Sequence, residues 1–274
     1  MSAIEVPDQR TLTVRFPWVS VTGSLIAAVL FLGSAVLQLM ASLQRWVVFR
    51  SSLTPEDLSA EDHLYDYTWP WAPWMPIGTA AELFGVGTLI LALGVVVMAV
   101  GIVAMPTAAA RRNIAAIVVI VVIAVVVEIV LAILVADSFG IHGAHALLSG
   151  LDGTPSPLQN SYALGWIGLL GLIALGALWL SKSRASTVAC VFLLGSTGLG
   201  HLLATFLIAP LFAGGISHDT TPWSETVVAA SAAAAGVAMI FVAAAAAGRS
   251  PQGAAGGLYT RLKRSPAPGH GRRH

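Results

Sequence analysis

Charge is what this sequence has least of. Only 10% of its 274 residues are charged while 57% are hydrophobic, and the mean hydropathy is +0.83. A soluble domain carries about 25% charged residues, so a water-facing surface of ordinary composition is excluded and the solvent around most of the chain is lipid. Cysteine is nearly missing as well. Cys190 stands alone, which excludes an intramolecular disulfide and a cysteine-based metal site. The net charge of +1 leaves no excess that would point to nucleic acid. The long apolar stretches lack proline in their interiors, with Pro106 closing the second and Pro210 near the end of the fifth. Helices interrupted by Gly and Pro are the sequence mark of transporter sites, so this absence argues against that reading. No H-E-x-x-H, nucleotide-binding loop, nucleophile elbow or haem-attachment motif is present.

What is present is apolar length. A hydrocarbon core of about 30 Å needs about 20 apolar residues in a helix. Six stretches meet that: Trp18–Leu43, Thr79–Met105, Ile114–Ala136, Ser161–Leu180, Ser186–Phe212 and Trp223–Ala247. The first is too long for a signal-peptide core and no small-residue cleavage motif follows it, so it reads as a retained helix. The expected fold is an all-α, six-transmembrane-helix bundle over 18–247, after a cytoplasmic N-terminus (1–17) and before a basic disordered tail (248–274).

The basic residues orient it. With the N-terminus inside, the inner segments hold Arg10, Arg15, Arg111, Arg112, Lys182, Arg184, Arg249 and the tail's Arg261, Lys263, Arg264, Arg272 and Arg273. The outer segments hold Arg45 and Arg50. This split obeys the positive-inside rule and predicts both termini in the cytoplasm, as in a multi-pass plasma (inner) membrane protein. The tail's cations are expected to meet anionic lipids at the inner face.

Several residues stand out as sites. Glu128 lies among valines, where a charge costs about 2.5–3.5 kcal/mol unless it is paired or wet. His201 shares a face with Thr197 and Thr205 on the fifth stretch. At 1.5 Å per residue the two sit roughly 12 and 16 Å below the outer ends of their spans, so a Glu128–His201 pair is expected. His142, His145 and His218 fall in outer segments and form a candidate metal or haem set, though two histidines in a loop are a weak signal. A short outer-surface segment between helices 1 and 2 holds Trp69, Trp71 and Trp74, expected as interfacial anchors. Thr79 and Glu82 have capping-box spacing at a helix start, and Glu225 falls in a first helical turn, where a carboxylate suits the dipole. Gly87, Gly94 and Gly101 form one groove for helix packing.

Three functions remain open from sequence. The first is an accessory or assembly subunit of a membrane complex, with another membrane protein as partner and no enzymatic activity. The second is a small transporter or proton-coupled permease using Glu128 and His201. The third is a metal- or haem-dependent membrane enzyme. No cofactor is identified by a motif.

Overall fold

The computed structural model describes residues 17–49, 62–105, 114–160, 162–213 and 221–248. Every regular element among them is helical: α1 (Pro17–Leu43), α2 (Ala80–Val103), α3 (Ile114–Asp152), α4 (Tyr162–Trp179), α5 (Arg184–Leu193), α6 (Gly198–Leu203), α7 (Pro210–Ala213) and α8 (Ser224–Gly248). Among the described residues four helices are long and apolar enough to cross a bilayer, or five if the bent α5–α7 run is one span. The chain is a membrane protein on that ground. Of the six expected stretches, the fourth forms α4, an apolar helix of 18 residues. The basic tail and His218 lie outside the described residues.

α1 runs up against α2 on one side and α8 on the other, and α3 packs between α2 and α4. Their shared core is built from Phe31, Leu91, Met98, Leu172, Trp179 and Met239, among others. The glycine groove of α2 does receive a neighbour. A Cβ on Gly94 would fall 2.5 Å from Phe31, and one on Gly101 would lie 3.2 Å from the Ser24 amide, so α1 lies in that groove. The tightest crossing is between α2 and α3. A Cβ on Gly85 would lie 2.5 Å from the Leu147 amide and 2.7 Å from the Gly143 carbonyl. Backbone cannot retreat from such an atom, so Gly85→Ala is expected to cost about 1–3 kcal/mol through overpacking. Gly33 in α1 has nothing within 4 Å of its Cβ position, so Gly33→Ala is expected to be neutral or to raise the melting temperature. Thermal unfolding of the two purified variants in one detergent checks both; equal melting temperatures would refute the crossing.

Two elements depart from expectation. The sequence's third span ends at Ala136, but α3 continues to Asp152 and carries His142 and His145 with it. Its packing begins at Glu128: Ala132, Val135 and Phe139 are buried, whereas Val119, Ile120, Val121, Val122 and Ile123 are all exposed. The most apolar stretch of the chain is thus the least packed. The fifth stretch is broken without proline. α5 and the run from Gly198 to Ala213 meet at 71°. Thr197 is extended at the break (φ −86°, ψ 166°), and its hydroxyl caps α6 by accepting from the Gly200 amide. Glycine makes the break possible: a Cβ on Gly200 would collide with the carbonyls of Leu194 and Gly195.

Candidate functional site

The bundle has two ends. Lys182 marks one; the other gathers the turn from Asp66 to Ile77, the C-terminal half of α3 and the start of α8. Charged and polar side chains are buried at both, with different partners from those the sequence led one to expect.

At the Lys182 end, the Lys182 ammonium donates to both Glu128 oxygens, at 2.6 and 2.8 Å. Glu128 is 2% exposed and Lys182 is 12% exposed on its side chain. The expected Glu128–His201 pair is therefore corrected. Placing the third span's end at Ala136 put Glu128 at a depth shared with His201, whereas α3 continues 16 residues further, to Asp152. Glu128 faces the α4–α5 turn, and His201 belongs to the opposite end of the bundle.

The opposite end is organised by Asp66. Its Oδ1 accepts from the Thr68 amide (2.8 Å), the Thr68 hydroxyl (2.6 Å) and the Trp69 amide (3.2 Å), which closes a tight turn. The turn is fastened to α3 by two histidines. A carbonyl only accepts, so His142 Nε2–H donates to Thr68 O (2.8 Å) and His145 Nε2–H donates to Pro70 O (3.1 Å). His145 Nδ1 lies 2.9 Å from the Ser156 hydroxyl. Trp69 stacks on the His142 ring at 3.9 Å between centroids. Tyr67, in the same turn, is fully buried against Phe84. Burial first, and then the Glu225 charge, pushes its phenol well above the usual value.

These contacts revise two expectations. His142 and His145 hold backbone instead of standing ready for a metal, and no group of three metal-ligating side chains occurs among the described residues. Of the three tryptophans read as interfacial anchors, Trp74 is buried, Trp69 is half-buried under the histidine stack, and Trp71 is exposed.

Glu225 carries a second buried charge pair. Arg45 Nη1 donates to its Oε1 at 2.7 Å, Trp46 Nε1 to its Oε2 at 2.6 Å, and the Ser224 hydroxyl to Oε2 at 3.2 Å. Arg45 and Glu225 are 3% and 5% exposed. Arg45 reaches it because α1 continues past Leu43 as a π-helical turn, Gln44–Phe49. The chain enters α8 through Trp223 at φ 71°, a left-handed conformation that bulky residues avoid, so it is strained where it delivers Glu225. The same π-helical turn supplies the cap of α2. Gln44 donates to the Thr79 hydroxyl and accepts from the Thr79 amide, in place of the expected Thr79–Glu82 capping box.

Between this network and the broken span lies a cavity of about 430 Å³. Its polar side holds Asp66, His201, Thr205 and Glu225; its apolar side holds Trp166, Leu169, Leu202 and Phe206. His201 Nδ1–H donates to Thr197 O at 3.1 Å, while its Nε2 is buried with no partner. The His201 and His142 rings are 6.0 Å apart, with Phe84 edge-on to both. A water-sized space of about 30 Å³ lies behind, next to Trp69, His142 and His145.

The sequence marked His201 but missed Arg45 and Lys182 as partners, having counted them only as loop charges, and Asp66 was not singled out at all. One signal for Arg45 was there: it is one of two basic residues on the expected outer side, beside an apolar helix with no acid of its own to meet it. No protein-family model matches the chain, and no curated protein or solved structure matches it either.

Proposed function

We propose that this chain is a plasma-membrane carrier that binds a small solute in the cavity between the Asp66 turn, α4 and the broken fifth span. One observation carries the reading: the break at Leu194–Gly198 abuts a cavity of 430 Å³ whose wall includes His201, one turn beyond the break. Discontinuous membrane helices commonly form solute sites, because irregular backbone at membrane depth is tolerated where it lines a cavity. The volume falls within the range of about 300–1,000 Å³ typical of small-molecule pockets. The split of basic residues supports an outward-facing position for the cavity, with both termini inside. Glu128 is outside this site and belongs to a fixed ion pair.

The test is access from two sides. With Cys190→Ala as background, Thr205→Cys places one thiol in the cavity wall. In proteoliposomes of known orientation, a membrane-impermeant maleimide is expected to label it from both faces, at unequal rates. Labelling from one face only, under every condition tried, would reduce the protein to a static binding subunit.

A second reading has its own support. The first half of α3, from Val119 to Ile123, is apolar and exposed on every side. Another membrane helix covering that stretch would make the chain an accessory subunit. Retention of a second membrane protein at a fixed ratio through purification, lost on Ile120→Ser and Ile123→Ser substitution, would favour that reading.

A further inference from the structure

We infer that the cavity selects a protonated amine carrying an apolar body. This deepens the carrier reading and rests on it for the cavity's role, though not for its chemistry.

The first argument is charge. Asp66 and Glu225 both line the cavity, and none of its lining residues among those described is a lysine or arginine. Arg45 offsets Glu225 from behind. The wall seen by a ligand is acidic, which disfavours carboxylates and phosphates and attracts cations.

The second argument is the hydrogen-bond inventory. Several donors of the wall are already engaged within it. The Thr68 hydroxyl donates to Asp66, the Ser224 hydroxyl to Glu225, and His201 Nδ1–H to Thr197 O. What these groups leave over is an acceptor, Asp66 Oδ2, since all three hydrogen bonds of the turn go to Oδ1. A site with a surplus acceptor is completed by a ligand rich in donors. An ammonium brings two or three N–H groups and the matching charge. A quaternary ammonium brings the charge without the donors, and an alcohol brings a single donor without the charge.

The third argument is the opposite wall. Trp166, Leu202 and Phe206 are apolar and largely exposed, at 64%, 56% and 50%. An apolar body lies against them while the ammonium faces Asp66. The aromatic faces add a cation–π attraction that further favours a positive head group.

The experiment uses the purified full chain in nanodiscs and four probes sharing one body: phenylethylammonium, phenylethyltrimethylammonium, 2-phenylethanol and phenylacetate. Quenching or shift of tryptophan fluorescence reads binding, since Trp69 and Trp166 line the cavity. Phenylethylammonium is expected to saturate, with the trimethyl analogue about tenfold weaker for want of donors and the alcohol and acid weaker still. Asp66→Asn keeps the Oδ1 acceptor that closes the turn and removes the charge. It is expected to weaken phenylethylammonium about tenfold while the melting temperature stays within a few degrees. Equal binding of amine and acid, an unchanged affinity in Asp66→Asn, or no saturation of the amine at up to about 10 mM would each overturn the inference. Two-sided labelling of Thr205→Cys without amine binding would leave the carrier reading standing. Amine binding with one-sided labelling would leave the site standing and remove transport.

Discussion

Arg45→Ala should be among the most damaging single substitutions in this chain, lowering stability by about 3–5 kcal/mol. The reason is the residue left behind. Glu225 is 5% exposed and depends on Arg45 at 2.7 Å, with Trp46 and Ser224 adding hydrogen bonds to its other oxygen. A carboxylate so enclosed cannot recover its hydration when the guanidinium goes. Arg45→Lys keeps the charge and loses the planar fork, so it should fall between wild type and alanine. Removing both residues takes the pair away as a unit and leaves no buried carboxylate behind. Arg45→Ala with Glu225→Ala should therefore be far less damaging than the two single losses added together. Reversible unfolding in mixed micelles measures all four variants, Glu225→Ala included. Additivity within about 0.5 kcal/mol would mean that the pair is not coupled and that the argument is wrong.

The apolar stretches made much of the helical layout legible. α1, α2 and α8 begin and end within a few residues of the expected spans, because hydropathy and packing mark the same segments there. α3 separates the two signals. Its most apolar residues, Val119–Val127, lie outside the packed core, and its C-terminal half carries polar residues that pack. A hydropathy window follows the first property and cannot see the second. The broken span was illegible for a related reason. Gly195-Ser196-Thr197-Gly198 holds no proline and interrupts an apolar run only mildly, yet Thr197 takes an extended conformation and Gly200 admits the close contact with the Leu194 and Gly195 backbone. In the site, the residue types were visible and their partners were not. Arg45 and Lys182 read as ordinary loop charges, since a charge beside a span usually remains in water, and nothing in its neighbours singled out Asp66. Only the three-dimensional arrangement turns Lys182 inward to Glu128 and carries Arg45 past the end of α1 to Glu225.

Glu128 changes its expected behaviour once its partner is known. Had it been a neutral acid bonded to a neighbouring helix, Glu128→Gln would be silent, because an amide makes similar bonds. Facing Lys182 at 2.6 and 2.8 Å, it is instead one half of a charge pair, and glutamine takes away the charge that the ammonium faces at both oxygens. Glu128→Gln is therefore expected to cost about 3 kcal/mol, the low end for breaking a buried pair, since Lys182 keeps some solvent contact. Lys182→Met should be at least as harmful, because Glu128 is the more deeply buried partner and sits among valines. The two losses should not add. Exchanging the charges, Glu128→Lys with Lys182→Glu, should recover part of the stability that either reversal alone destroys. Because the pair ties α3 to the turn joining α4 and α5, its loss should also loosen that end of the bundle. Hydrogen exchange read over 176–190 in Glu128→Gln against wild type reports that loosening directly. A silent Glu128→Gln, with unchanged exchange in that turn, would show that the ion pair does not hold the bundle's Lys182 end together.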